Sequence, residues 1–343
     1  MTPLKVFTLY IISLYILSLS SLSSASTLED IIERDELVCG VRGGSAGFAR
    51  IDDEGEWAGL DADYCKALAA AVLKDQHKVD YLVLSTSRRF SALRDDEIDV
   101  LIRNTTWTYN RDVSLGIDFV GINFYDGQGF IAWKNGNKTS LKDFGPGTSI
   151  CIEKGTTTLT NMKSYIAYHD LDIKILEFIS SDTAEDSFFA RRCDLYSTDL
   201  SILSSLMGEN AINSKSYVFL TDRISKEPLG PAVRDNDSQW RDIVRWTLYA
   251  TIEAEEKGIT KDNVDRLKKE SKDPSIRFLL GTDSGVGNPL GLDDEWVYRI
   301  LKSVGNYGEI FDRNMGANSK IGLERGLNDL WTRGGLMYSP PMR

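Results

Sequence analysis

Three short stretches hold the residues best suited to chemistry, and each follows an apolar run. Arg103-Asn104-Thr105-Thr106 follows IDVLI, with Arg111 one or two helical turns beyond; Lys154-Gly155-Thr156-Thr157-Thr158 follows SICIE; Thr198-Asp199 follows CDLYS. Together they offer hydroxyls, backbone N–H groups at helix starts, a guanidinium and a carboxylate. Helix N-termini leave N–H groups unpaired and favour negative charge. Gly155 lets the backbone come close, and an arginine fork matches a carboxylate in two parallel bonds. Asp199 is the complement, suited to an ammonium. A molecule that carries both charges a few ångströms apart is an α-amino acid.

Each piece has a plainer reading when taken alone. GTTT at a strand-to-helix turn is a cap, Arg111 a surface ion pair, Asp199 the cap of the next helix. Their recurrence at equivalent strand ends favours a site, because open parallel sheets bind ligands beyond the carboxyl ends of their strands. Asn104-Thr105-Thr106 is also formally a glycosylation acceptor. A glycan there would block such a cleft, so the match is read as chance.

Catalytic alternatives are thin. The histidines, His77 and His169, sit among Lys and Asp in or beside helices and look exposed, away from any nucleophile they would have to serve. No G-x-S-x-G, Walker A or H-E-x-x-H pattern occurs. Asp52, Asp53 and Glu54 adjoin a glycine and read as a solvated turn rather than a glycosidase pair. An enzyme would need a general acid or base in the cleft; Glu153, beside the GTTT turn, is the one candidate, and as a strand-interior position it is read as structural. No cysteine lies in a C-x-x-C or near a histidine, so no zinc site is expected; no cofactor is expected either.

The elements that must position these residues come in two cycles of one order: strand, helix, strand, helix, strand. The first runs ELVCGV, LDADYCKALAAAVLKD, VDYLVLS, SRRFSALRDDE, IDVLI, with FARIDDEGEWAG as a hairpin excursion and Tyr64, Leu68 and Val72 on one helix face. After the linker KNGNKTSLKDFGPG the second runs SICIEKG, TTTLTNMKSYIAYH, KILEFIS, SDTAEDSFFARR, CDLYS. This alternation predicts an α/β fold of parallel sheets with crossover helices, and 343 residues suit two lobes. From Ser238 the pattern turns helical, with Trp240, Ile243, Val244, Thr247, Leu248 and Ile252 as a core stripe. The tail is mostly helical, broken at GTDSGVGNPLG.

Residues 1–25 read as a signal peptide cut near Ala25: one lysine, a short apolar segment, then small residues. The segment is diluted by serines and short of the ~20 residues that span a bilayer, and it holds no cysteine for a lipid. Export predicts a soluble periplasmic protein. Loss of Lys5 takes the formal charge from -11 to -12, which argues against nucleic acid or an anionic surface as partner. Cys39, Cys65, Cys151 and Cys193 then lie in an oxidising compartment. Cys151 and Cys193 fall on the first and third strands of the second cycle, and Cys65 on the helix that covers the strand of Cys39. The expected bonds are Cys39–Cys65 and Cys151–Cys193, each within one lobe, since a bond between lobes would lock them.

The segments GLDADYCKALAAAV, IDVLIRNTTWTYNRD, FYDGQGF, EKGTTTL, RCDLYSTD, ISKEPLGP, DIVRWTLYA, VGNYGEIFDRN and ERGLNDLWTRGGLMYSPPMR span nearly all of the mature chain. Through them it resembles the periplasmic amino-acid-binding proteins of ABC importers (solute-binding protein family 3), and among these the general L-amino-acid binders. The resemblance implies a two-lobed periplasmic-binding-protein-like fold of type II. Each lobe is a mostly parallel sheet with helices on both faces, and a helical C-terminal extension follows. Lobe one is 26–127 with 230–343 and lobe two 128–229, crossing near Asp126 and Leu229, where Gly127, Gly129 and Gly230 suit a hinge.

By the same resemblance the carboxylate-binding arginine falls on Arg111, the backbone and hydroxyl donors on Asn104, Thr106 and Thr157, and the ammonium-binding aspartate on Asp199. Side-chain selection falls around Arg42, Ser45, Phe48, Ser87 and Arg88. The chain departs from the aromatic sandwich of cationic-amino-acid binders, and a small Ser45 leaves room for a broad range. The implied protein is a non-catalytic monomer that takes an L-amino acid, polar, acidic and amide types included, to membrane permease subunits. The competing expectation is a secreted amino-acid-type dehydratase on the same fold.

Overall fold

The computed structural model describes residues 26–134, 136–209 and 216–343; the expected leader lies outside them. In the first lobe β1 (Leu37–Val41) carries β4 (Val79–Val83) and β5 (Val100–Leu101) parallel on its two sides. The short hairpin β2 (Arg50–Ile51) and β3 (Trp57–Ala58) stands apart. At the sheet's far edge lies β6 (Ile117–Phe119), with β14 (Ala232–Arg234) antiparallel between it and β5.

The second lobe repeats this plan. There β9 (Thr148–Glu153) is flanked by parallel β10 (Ile173–Phe178) and β11 (Leu195–Asp199), while β8 (Gln128–Trp133) runs antiparallel between β11 and β12 (Tyr217–Phe219). Between the lobes β7 (Phe124–Asp126) pairs antiparallel with β13 (Glu227–Leu229), placing Glu227 opposite Asp126. Each lobe thus takes its antiparallel strand from a chain segment that has just left this pair.

Local chemistry fixes the helix starts. Ser26, Thr108, Thr156, Ser180 and Asp237 each accept a backbone N–H at the first turn of the helix they precede, which satisfies one of its orphan donors. Gly59 opens the helix Leu60–Val72 at φ +130, where a Cβ would lie 2.0 Å from the carbonyl oxygen of Phe48. That helix is buried at every residue but Lys66, not only at Tyr64, Leu68 and Val72. The cause is the C-terminal extension, whose helix Trp296–Val304 packs along it. Arg299 donates from Nε to Ala70 O at 3.1 Å and from Nη2 to Ala71 O at 3.2 Å, satisfying carbonyls at the helix end. Arg313 Nε reaches Asp63 Oδ2 at 2.9 Å.

Both disulfides form, with Cα separations of 6.2 Å for Cys39–Cys65 and 5.8 Å for Cys151–Cys193. Cys193 precedes β11 rather than lying on it. The glycines at the crossing are explained by packing. A Cβ on Gly129 would meet the Leu200 side chain at 2.4 Å and one on Gly230 the Gly121 carbonyl oxygen at 2.1 Å, with neither in a left-handed conformation. The stripe from Trp240 to Ile252 is core. The helices Thr27–Arg34 and Tyr109–Ser114 and the strands β6 to β8 add to the expected elements.

Candidate functional site

A narrow cleft lies where the two sheets face each other across the paired strands. Arg42 follows β1, Thr86 and Arg89 follow β4, and Arg103, Asn104, Thr106 and Arg111 follow β5; Glu153 ends β9, Thr156 to Thr158 open the next helix, and Thr198 and Asp199 end β11. Every contributor sits at or beyond the carboxyl end of a parallel strand.

On the first wall the Asn104 turn is tied down from below. Asp61, at the start of the buried helix, accepts Asn104 N–H at 2.8 Å and Asn123 Nδ2 at 3.2 Å. Burial raises its pKa to about 6 against those bonds. Asn104 takes a φ of +34 there, a left-handed conformation that asparagine tolerates better than most residues.

Arg111 is 9 % exposed and donates Nη1 to Thr106 O at 2.8 Å. Its guanidinium and that of Arg89 lie 5.4 and 4.8 Å from the centre of the Phe90 ring. Arg103 donates to Leu84 O at 2.7 Å and to Thr86 Oγ1 at 3.1 Å. None of these arginines has a carboxylate within salt-bridge distance among the described residues. Burial, then mutual repulsion, holds the Arg89 guanidinium well below its ordinary pKa; burial, then Arg42, lowers Arg103 to about 10.

The second wall is acidic and hydroxylic. Asp199 is 9 % exposed. Burial first, then the Asp126 and Glu227 carboxylates, push its pKa well above the usual range, while Arg42 and Arg111 pull it back. Two atoms of the cleft are buried without a protein partner: the donor Arg89 Nε and the acceptor Asn104 Oδ1. Such groups cost free energy until something fills the site.

Arg42, Asn104, Thr106, Arg111, Thr157 and Asp199 therefore meet in one cleft, and Ser45, Phe48, Ser87 and Arg88 stand outside it. Phe48 is fully buried against Phe124, ring centroids 5.4 Å apart, so it belongs to the core. Ser45 is buried in the tight turn that returns to Ala49. Ser87 and Arg88 point to solvent, Arg88 pairing with Glu97 at 2.5 Å, and their neighbours Thr86 and Arg89 face the cleft instead. A helical phase would have found this: Arg89 lies three and four residues before buried Ala92 and Leu93, on the same face.

Glu153 is the last residue of its strand and lines the cleft, contrary to the strand-interior reading. The hydroxyls of Thr106 and Thr157 are not free donors either, because both give their hydrogens to Glu227. Of the histidines, His77 is exposed and His169 half-buried against Tyr165, and neither lines the cleft.

A larger open cavity of about 1000 Å³ lies between the β2–β3 hairpin and the C-terminal extension. Of its charged side chains, Asp53, Glu54, Arg313 and Lys320 are exposed and Arg50 and Asp52 half-buried. Exposed charges need no buried partner, so size alone does not make it the site.

Residues 37–261 match the family model of bacterial extracellular solute-binding proteins, family 3. The chain is 45 % identical over 321 residues, 94 % of each chain, to the glutamate/glutamine/aspartate/asparagine-binding protein BztA of Rhodobacter capsulatus. It is 47 % identical over 323 residues, again 94 % of each, to the general L-amino acid-binding periplasmic protein AapJ of Rhizobium johnstonii. Among solved structures it is similar to an ABC transporter periplasmic binding protein from Brucella ovis with glutathione bound. The identity is 46 % and the TM-score 0.89, covering 93 % of this chain and 100 % of that one. The matched family model, the two-lobed sheet plan and the cleft at the strand ends agree: this chain belongs to the family 3 bacterial extracellular solute-binding proteins.

Proposed function

We propose that this chain is the periplasmic solute-binding component of an ABC importer. It captures L-amino acids of broad range, polar, acidic and amide types included, and presents them to membrane permease subunits. One observation carries the reading. A buried guanidinium, Arg111, and a buried carboxylate, Asp199, line the same cleft from opposite lobes, and among the described residues neither has an ion-pair partner. An α-carboxylate and an α-ammonium would supply both partners at once, and the open donor and acceptor on Arg89 and Asn104 would serve the side chain.

The names of the relatives support the same class of ligand. Glutathione, held by the Brucella ovis relative, has a free α-amino-acid head on its γ-glutamyl residue, so the same head pocket suits it. Closure would turn residues 26–127 with 230–343 against 128–229 about the β7–β13 pair, the protein acting as a monomer freed of its first 25 residues. Among the described residues no helix is long and apolar enough to cross a membrane.

The test is thermal. Ligand-stripped protein is melted with each of the twenty L-amino acids and with glutathione. A ligand present at a hundred times its dissociation constant stabilises by about 2.7 kcal/mol; a panel in which none shifts the melting point rejects the proposal. The dehydratase reading would use Glu153 as acid or base. Recovery of the bound amino acid chemically unchanged after long incubation rejects that alternative.

A further inference from the structure

Glu227, on one of the two paired strands between the lobes, is nearly fully buried, at 1 % exposure. Its oxygens take four hydrogen bonds. Oε2 accepts from Thr106 Oγ1 at 2.7 Å and from Thr157 Oγ1 at 2.8 Å; Oε1 accepts from Asn161 Nδ2 at 2.8 Å and from Ser225 Oγ at 2.6 Å. Four donors around two oxygens are the complement of an ionised carboxylate, which can only accept.

The origins of those donors matter more than their number. Thr106 belongs to the first lobe and is stitched to the Glu227 strand: Trp107 N–H donates to Pro228 O at 2.8 Å and Gly230 N–H to Thr105 O at 3.0 Å. Thr157 and Asn161 lie one turn apart on a single face of the second lobe's helix Thr157–His169. Glu227 Oε2 is therefore a point where the two walls of the cleft meet, with the two threonine oxygens 3.4 Å apart.

We propose that Glu227 is the positioning residue that latches the closed cleft. It joins Thr106 of one lobe to Thr157 and Asn161 of the other, and its position on the strand pair makes the latch form only when the lobes close. The proposal rests on the amino-acid-binding reading and adds a residue that need not touch the ligand. Whichever lobe Glu227 moves with, opening breaks its bonds to the other. By taking both hydroxyl hydrogens, Glu227 also leaves the threonine oxygens as acceptors toward the cleft. Asn161 gives the helix of Thr157 a second grip, so the latch sets the angle of that helix start as well as its distance.

A bond present only in the closed state slows ligand escape without speeding entry. Stopped-flow kinetics with L-glutamate and L-glutamine as probes separate the two. In Glu227→Gln, which keeps the shape and removes the charge, the dissociation rate should rise about tenfold to a hundredfold, the worth of one hydrogen bond to a charged group, while the association rate stays within about threefold. Thr157→Val should raise the dissociation rate in the parent and add little on top of Glu227→Gln, since both act on the same contact.

Glu227→Gln with an unchanged dissociation rate, or with a loss confined to association, overturns the latch. Should that variant fail to fold, Asn161→Ala reads the same contact from a half-buried helix position. Its dissociation rate should rise about threefold to tenfold, and an unchanged rate overturns the proposal equally. Arg111→Ala is the control: if it binds both probes as the parent does, the amino-acid site is misplaced and the binding reading falls, independently of the latch.

Discussion

The two walls of the cleft are built from the same order of strands and helices, yet they carry opposite charge and differ in support. The first wall presents Arg42, Arg89, Arg103 and Arg111. It rests on a helix buried between its own sheet and the C-terminal extension, with Asp61 fixing the Asn104 turn and Arg299 satisfying the helix end. The second wall presents Glu153, Asp199 and a row of threonines, and no equivalent of the extension covers its helices among the described residues. One architecture has thus yielded a braced cationic jaw and a lighter acidic jaw, and a zwitterion is what reconciles them. The braced jaw holds the arginines together against their repulsion.

Removing the principal charge from either jaw breaks the comparison most severely. Arg111→Ala and Asp199→Ala should each weaken amino-acid binding by about 3–5 kcal/mol, because the opposing ligand charge is left buried and unpaired. Calorimetry measures both, and near-parental affinity in either would separate that jaw from the site. Acidity probes the second jaw, together with Asp61 beneath the first, whose pKa is also raised. Asp199 has a raised pKa, from burial first and then from Asp126 and Glu227, and only its ionised form can hold an ammonium. Below the raised value binding must expel a proton. Affinity should therefore be level at higher pH and fall by about tenfold per unit as pH drops through that pKa, with proton release seen as heats that differ between buffers.

A finer comparison lies within the first jaw. Arg89→Met keeps bulk against Phe90 and removes the open Nε donor. It should cost L-glutamate about tenfold more affinity than L-glutamine, as a charge-assisted bond is roughly twice as strong as a neutral one. Equal losses would place the side-chain carboxylate elsewhere. The smallest effect concerns the brace. Arg299→Ala should lower stability by about 1–2 kcal/mol through the lost bonds to Ala70 and Ala71, with the affinity of folded protein unchanged. An equal loss of affinity would mean that the extension shapes the site directly.

The sequence carried the repeated order of elements because each rests on local patterns, apolar runs and capping residues such as Thr156 and Ser180. It also carried the residues at strand ends, since a strand's direction determines where its last residue points. It was weaker where a helix phase decides, as with Arg88 and Arg89, which are adjacent in sequence and point apart. Phe48 shows a similar limit: an aromatic in a loop near the cleft is equally suited to the core, and Phe124, its partner, lies far along the chain. Glu227 left no local signal at all. Its meaning comes from Thr106 and Thr157, separated from it by 121 and 70 residues, and only the tertiary fold brings the three together.

The central claim is that both head charges of an α-amino acid are read together, one by each jaw. Calorimetric titration of ligand-stripped protein with L-glutamate, glutarate and 4-aminobutyrate tests this directly, because the last two lack the α-ammonium and the α-carboxylate respectively. L-Glutamate should bind at least about a hundredfold more tightly than either, the worth of a buried charge pair. Binding of glutarate or 4-aminobutyrate as tight as that of L-glutamate would contradict the account.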